Sequence, residues 1–191
     1  LLLLASVAAD FDDNLARNFF MPLSGAAYSD TPQQCLDKKM PGAKLSKQVS
    51  LKCDYFKKDT CSGFTFFDES RKVIGMSFRG TSDTSQLIAE ITDTLFDSKV
   101  DFQDGGKTSK YFNDAFMDLW YNSGIGADFN YLANKYPTYK LLITGHSLGG
   151  ALAALGAVHV AKNNLFNTEK IVYYTFGEPR TGDKTFANLL D

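Results

Sequence analysis

The sequence predicts an α/β fold in which a mostly parallel sheet is covered by helices on both faces. Residues 140–146 form an apolar run typical of a buried strand, and a helix of small residues follows to about Asn163. A second β-rich run, residues 170–176, comes soon after that helix. Strand–helix–strand alternation on this scale is typical of right-handed crossovers in a parallel sheet.

The turn between the first strand and its helix carries the pattern Gly-x-Ser-x-Gly, with Gly145, Ser147 and Gly149. In a strand–turn–helix the serine of this pattern takes a strained backbone conformation that exposes its hydroxyl. The helix that follows directs N–H groups and its positive dipole end at the serine, where acyl transfer develops negative charge. The alternative is an ordinary glycine-rich turn in which Ser147 caps the helix. The strand directly before and the helix directly after favour a nucleophile.

Composition excludes several other classes of protein. The chain has 191 residues, 44% hydrophobic and 14% aromatic, which is enough for one folded domain with a sizeable core. Twenty basic and 22 acidic residues give a net charge of −2. The sequence has no basic tract of the kind that binds nucleic acid, so a nucleic-acid-binding protein is not expected. No apolar run is long enough to predict a membrane-spanning helix.

Residues 1–9, Leu-Leu-Leu-Leu-Ala-Ser-Val-Ala-Ala, resemble the end of a secretory signal peptide with small residues before a cleavage site. The alternative is a buried N-terminal strand or helix end. We expect a secreted protein whose folded domain covers residues 10–191.

Three cysteines fit an oxidising compartment but leave one unpaired. Cys53 and Cys61 could close a small surface loop. Cys35 would then be a buried free thiol, or would pair with a cysteine outside this sequence, which is the interpretation we favour. Two histidines and three cysteines at these spacings make no zinc site, so no metal or cofactor is expected.

The remaining patterns predict local structure only. We expect the following elements: a helix over Asp12–Ala27 bent or ended by Pro22, a loop or short helix over Thr31–Ser50, antiparallel strands over 63–67 and 73–79 at the sheet edge, a polar loop over Asp101–Ser109, and helix over Lys110–Lys135.

Three polar segments, around Thr81, Ser147 and Asp183, each lie just past the C-terminal end of a predicted strand. In parallel sheets, ligands and catalytic residues lie at the carboxyl ends of the strands. We therefore expect these three segments to form one shared site. After Thr81, the residues Leu87, Ile88 and Ile91 fall on one face of a possible helix. That helix is either a surface helix packed on the core or a mobile cover over the site.

The segments 78–81 (Phe-Arg-Gly-Thr), 144–150 (Thr-Gly-His-Ser-Leu-Gly-Gly) and 176–183 (Phe-Gly-Glu-Pro-Arg-Thr-Gly-Asp) together resemble the fungal lipase-like (class 3) family. Their order and spacing match that family from about residue 60 to the end of the chain. The resemblance implies an α/β-hydrolase fold and a secreted carboxylic ester hydrolase, above all a triacylglycerol lipase acting at an oil–water interface. Other esters or amides (phospholipid, galactolipid, feruloyl-type or peptide) are alternatives, as is a non-catalytic lipase-like protein that binds lipid or a protein partner.

By this resemblance, Ser147 is the nucleophile and Asp183 is the acid that orients the catalytic histidine. Thr81 and Leu148 match the oxyanion-hole positions, and residues 82–93, which include Leu87, Ile88 and Ile91, match the lid. From the residues alone, Asp183 could instead cap a helix, and both roles could coexist.

The histidines depart from the family pattern, which places the catalytic histidine about fifty residues after the aspartate. His146 lies inside the tight turn, where it cannot reach its neighbour's hydroxyl and also meet Asp183; in the family this position is structural. His159 lies twelve residues after Ser147, about 18 Å away along a helix. We therefore expect a fragment, nearly inactive by itself, whose catalytic histidine and C-terminal strands lie outside these residues.

Overall fold

The computed structural model describes residues 11–52, 60–81 and 99–190. Its central sheet has the strand order β1-β2-β3-β6-β7. The strands are β1 (Lys44–Lys52), β2 (Thr60–Asp68), β3 (Val73–Phe78), β6 (Lys140–His146) and β7 (Ile171–Phe176). β2 pairs antiparallel with β1 and with β3, whereas β3–β6 and β6–β7 are parallel pairs, so four of these five strands run in one direction. The predicted α/β fold with a mostly parallel sheet is confirmed.

Helices precede and connect these strands. The described helices are α1 (Asp13–Leu15), a π-helical segment (Ala16–Phe20), α2 (Met21–Ala26), α3 (Pro32–Lys39), α4 (Lys110–Met117), a second π-helical segment (Asp118–Asn122), α5 (Ile125–Lys135), α6 (Leu148–Lys162), a 3-10 turn (Thr168–Lys170) and α7 (Lys184–Ala187). Pro22 does not end the first helical region, because it stands in the first turn of α2, where a missing N–H is tolerated.

The sheet is covered on both faces, as the alternation of side chains along β6 shows. Leu141 and Ile143 point into a core shared with α4, α5 and α6. Leu142 points to the opposite face, into a second core built with the N-terminal helices. Because both faces of β6 are buried, its sequence is a continuous apolar run rather than an alternating one.

Residues 31–50, predicted as a loop or short helix, contain helix α3 and then an edge strand, β1. The pairing register of β1 shifts between Leu45 and Lys47, so Leu45 packs in the second core, whereas Val49 and Leu51 pack against the first. β1 also displaces the predicted hairpin from the sheet edge, so that β3 lies at the centre, next to β6.

The predicted polar loop at residues 101–109 is instead largely a small hairpin, made of β4 (Lys99–Asp101) and β5 (Lys107–Ser109). Gly105 and Gly106 form its turn with φ of 119° and 74°, values that favour glycine. The turn is held to α6 by Asp104, whose Oδ2 lies 2.7 Å from Nδ1 of His159. The side chains of both residues are more than nine-tenths buried.

We expect Asp104→Ala to lower the free energy of unfolding by about 1–3 kcal/mol, because it removes the carboxylate that contacts the buried Nδ1 of His159. Denaturant titration measures the change. Asp101→Ala is the matched control: its side chain is 85% exposed and forms only a surface ion pair with Lys107, so its effect should stay below about 0.5 kcal/mol. Equal effects of the two variants would contradict the assignment.

Candidate active site

Ser147 connects the end of β6 to the start of α6 with backbone angles φ 56° and ψ −127°. Such angles are strained for a residue with a side chain. The turn is held by its backbone: the Ser147 N–H donates to the Phe176 carbonyl at 2.9 Å, and the Ser147 carbonyl accepts from Gly150 at 2.8 Å. The hydroxyl is partly exposed and makes no hydrogen bond to another described residue. It is therefore free for chemistry.

The two glycines of the Gly-x-Ser-x-Gly pattern are required by close backbone contacts. A Cβ on Gly145 would lie 2.0 Å from the carbonyl oxygen of Gly149. A Cβ on Gly149 would lie 2.2 Å from the carbonyl oxygen of Phe78, at the end of β3. The start of α6 is thus packed directly against both β6 and β3.

The segment after β3, which carries Thr81, lies against the same turn. A Cβ on Gly80 would be 3.2 Å from Cβ of Ser147 and 2.5 Å from the carbonyl oxygen of His146. The Thr81 Oγ1 atom is buried and has no hydrogen-bond partner in the described residues. An unpaired buried hydroxyl is costly, and this one belongs to the residue directly after Gly80, which contacts the turn.

Leu148 is the first residue of α6, with its side chain 4% exposed. Its N–H has no acceptor within the helix, and the positive end of the helix dipole lies here. The structure therefore brings Ser147, Leu148 and the Thr81 segment together. Negative charge that develops beside the Ser147 hydroxyl would face donors from two chain segments.

Asp183 is the N-cap of α7. Its Oδ1 accepts the Phe186 N–H at 2.9 Å, and its own N–H donates to the Lys107 carbonyl at 2.8 Å. Hydrogen bonds from the backbone of Phe186 and of Lys107, together with the Lys99 charge, hold the pKa of the Asp183 carboxyl below its ordinary value. In the part of the chain that is described, no hydrogen bond joins Asp183 to Ser147 or to a histidine. The capping role is confirmed, and the catalytic role stays a prediction.

Neither histidine forms a hydrogen bond to Ser147 among the described residues. His146 is exposed, and its Nδ1 lies 2.7 Å from the hydroxyl of Tyr28. His159 is buried, bonded to Asp104 and packed 4.9 Å from the Trp120 ring, measured between ring centroids.

Several predicted residues lie outside the described ranges: the signal-like residues 1–9, the lid residues Leu87, Ile88 and Ile91, and Cys53. Cys61 is 1% exposed and disulfide-bonded, and Cys35 is a free cysteine. The pairing of Cys61 with Cys53 remains a prediction.

Sequence reasoning missed the group of hydroxyls around Glu178. Its carboxylate accepts hydrogen bonds from Tyr173, from Thr175 at 2.8 Å and from Thr181 at 2.7 Å. Burial and the Glu178 charge raise the pKa of Tyr173. A Cβ on Gly150 would lie 3.0 Å from Cβ of Glu178, so this group fastens the loop after β7 to the start of α6. The motif 176–183 marked the segment, but not these contacts.

An apolar groove of about 250 Å³ opens beside the turn. It is lined by Met21, Ser24, Gly25, Tyr28, His146 and Phe176. Its wall includes His146, the residue directly before Ser147. In the described residues, no cluster of histidine, cysteine and acidic side chains is suited to a metal, and no helix is long and apolar enough to cross a bilayer.

Comparison with known proteins agrees with this geometry. Residues 75–191 match the family model of lipase (class 3). A lipase of Caenorhabditis elegans is 33% identical over 186 residues, which cover 96% of this chain and 51% of the relative. A secreted mono- and diacylglycerol lipase of Fusarium solani is 27% identical over 185 residues, 90% of this chain and 51% of the relative.

Among solved structures, a triacylglycerol lipase whose catalytic centre is a serine protease triad superposes with a TM-score of 0.74. It is 27% identical, and the match covers 90% of this chain and 64% of that structure. This chain thus spans about half the length of its curated relatives. The match to the family model covers more than half of the chain and includes the Ser147 turn, and the chain belongs to the class 3 lipase family, with the α/β-hydrolase fold.

Proposed function

We propose that the protein is a secreted carboxylic ester hydrolase that uses Ser147 as a nucleophile on triacylglycerol. The observation that carries the proposal is the strained Ser147 turn, whose free hydroxyl lies next to the Thr81 segment and the first N–H of α6. A helix cap needs neither the strain nor the unpaired Thr81 hydroxyl.

In the proposed reaction the Ser147 oxygen attacks the ester carbonyl while a base removes its proton. The carbonyl oxygen becomes an oxyanion, which accepts hydrogen bonds from the Leu148 N–H and from the N–H and hydroxyl of Thr81. Losing one donor of this kind costs about 3–4 kcal/mol of transition-state stabilisation in other enzymes. The proton passes to the departing alcohol, and water then releases the fatty acid from the acyl-enzyme.

We propose that the base is a histidine outside residues 1–191. His146 is bonded to Tyr28, and His159 is enclosed by Asp104 and aromatic rings, so neither is placed to take the Ser147 proton. The relatives are about twice as long as this chain, which leaves room for such a residue. Ester hydrolysis by the full-length protein, but not by residues 1–191 alone, would support this assignment.

We propose that Asp183 is the acid that orients the catalytic histidine and also caps α7, since the cap bond from the Phe186 N–H ends on one carboxylate oxygen, Oδ1. We expect Asp183→Asn to lower kcat of the full-length protein by about 10⁴-fold, as in triads that lose their acid, although the Asn side-chain oxygen still caps α7. Asp183→Ala should remove about 1 kcal/mol of unfolding free energy through loss of the cap. If Asp183→Asn instead keeps most of the activity, Asp183 only caps the helix and the catalytic assignment is wrong.

The apolar groove lined in part by His146 supports an acyl chain as part of the substrate, because its lining is almost wholly apolar. We propose that Leu87, Ile88 and Ile91 form the inner face of a lid that opens at an oil–water interface. Secretion is supported by the signal-like residues 1–9 and by the secreted relative in Fusarium.

The proposal is tested with the full-length protein on a triacylglycerol emulsion and on a soluble short-chain ester. Fatty-acid release that disappears in Ser147→Ala is the expected result, and release that rises above the solubility limit of the ester supports action at an interface. Binding to lipid vesicles without hydrolysis of any ester would overturn the proposal in favour of a non-catalytic lipid-binding protein.

A further inference from the structure

The hydroxyl of Tyr28 touches two chain segments that together build the proposed oxyanion hole. Tyr28 follows α2, and its ring forms part of the groove wall. Its hydroxyl oxygen lies 2.7 Å from Nδ1 of His146, the residue directly before the nucleophile. This contact reaches the β6–α6 segment, which carries Ser147 and Leu148.

The same hydroxyl also lies against the segment from β3. A Cβ on Gly80 would be only 2.3 Å from the Tyr28 hydroxyl oxygen, so no side chain fits there. Burial raises the pKa of Tyr28, while the Gly80 backbone and the Arg79 charge act in the opposite direction. The Tyr28 hydroxyl is therefore in close contact with the Gly80 backbone.

A tyrosine hydroxyl has one proton to donate and lone pairs to accept with. We expect the Tyr28 hydroxyl to donate its proton to His146 Nδ1, while its oxygen stays in contact with the Gly80 backbone. One hydroxyl thus contacts both the residue before Ser147 and the residue before Thr81.

We propose that Tyr28 is a positioning residue for ester hydrolysis, whose hydroxyl sets the Gly80–Thr81 peptide against the Ser147 turn. This inference rests on the proposed function of Ser147. Tyr28 makes no hydrogen bond to Ser147, so it acts through the two donors rather than on the reacting atoms. Donors placed for an oxyanion lose their effect when they shift by a fraction of an ångström.

The test is Tyr28→Phe in the full-length protein, which removes one oxygen atom and keeps the ring in the groove wall. We expect kcat for a soluble ester to fall by roughly 10–100-fold with KM changed less than about twofold, because the oxyanion forms only in the transition state. The matched control is Tyr174→Phe, whose hydroxyl accepts the Asp12 N–H at 3.0 Å and lies outside the site. Its kcat should be unchanged.

An activity-independent measurement accompanies the kinetics. Nitrogen chemical shifts of His146 should report a proton on Nε2 in the parent protein, and the Gly80 and Thr81 amides should exchange faster in Tyr28→Phe than in Tyr174→Phe. An unchanged kcat in Tyr28→Phe, while Ser147→Ala is inactive, overturns the role of Tyr28 and leaves the proposed function standing. If the parent protein hydrolyses no ester, the proposed function is wrong. If the Gly80 and Thr81 amides then also exchange at the same rate in Tyr28→Phe as in Tyr174→Phe, Tyr28 does not position these residues.

Discussion

Replacing Ser147 with alanine is expected to lower kcat/KM of the full-length protein for esters by about 10³–10⁶-fold, because no acyl-enzyme can form. The residual rate would come from binding and from the Thr81 and Leu148 donors, which remain in place. Ser123→Ala is the matched control: its hydroxyl donates to the Leu119 carbonyl, away from the turn, and its removal should leave kcat unchanged.

The strain at Ser147 gives this prediction a second readout. Alanine at φ 56° and ψ −127° keeps the strain of serine, so Ser147→Ala should change the free energy of unfolding by less than about 0.5 kcal/mol. Glycine adopts these angles readily, so Ser147→Gly should be more stable than Ser147→Ala by about 1 kcal/mol or more. An inactive Ser147→Gly that is also more stable would mean that function, and not folding, selects the serine.

Turnover that survives in Ser147→Ala would contradict the nucleophile assignment directly. Covalent labelling shows whether Ser147 or another serine is the nucleophile. An organophosphonate should modify Ser147 in the parent protein and leave Ser147→Ala, Ser147→Gly and a denatured sample unmodified. Labelling at another serine, with loss of activity, would move the site away from the turn.

The features that the sequence predicted correctly are those set by local contacts. The Ser147 turn is fixed by glycines within four residues of one another, so the pattern Gly145 to Gly149 already contains its geometry. Asp183 shows the limit of such patterns: an aspartate before a short helix has the same local sequence whether it caps the helix or serves a histidine. Its backbone partner Phe186 shows the cap, and the histidine it would serve lies outside this sequence, so the catalytic role stays a prediction.

The features that the sequence did not predict depend on contacts between distant segments. Strand β1 was missed because six of its nine residues are polar, which a partly exposed edge strand tolerates. Tyr28 lies more than fifty residues from Gly80 and more than one hundred from His146, and nothing in its neighbours marks it. It becomes visible only when the sheet order places the ends of β3 and β6 side by side.

Gly145→Ala and Gly149→Ala are expected to be the most destabilising single-methyl changes at this site, each lowering the free energy of unfolding by more than about 3 kcal/mol. The added Cβ atoms would lie 2.0 Å from the Gly149 carbonyl oxygen and 2.2 Å from the Phe78 carbonyl oxygen, respectively. Both obstacles are backbone atoms of packed elements, so relief requires α6 to move away from the sheet rather than a side chain to rotate.

Gly156→Ala is the matched control, because it makes the same change within the same helix as Gly149. The nearest atom to its added Cβ would be 3.6 Å away, an ordinary van der Waals contact, and alanine is the better helix former. We expect this variant to be more stable than the parent by about 0.5–1 kcal/mol, as measured by denaturant titration. If Gly145→Ala and Gly149→Ala were as stable as Gly156→Ala, then β6, β3 and α6 could not be packed as closely as described. The Thr81 segment and the α6 N-terminus would then lose the common anchor that places both of them beside Ser147.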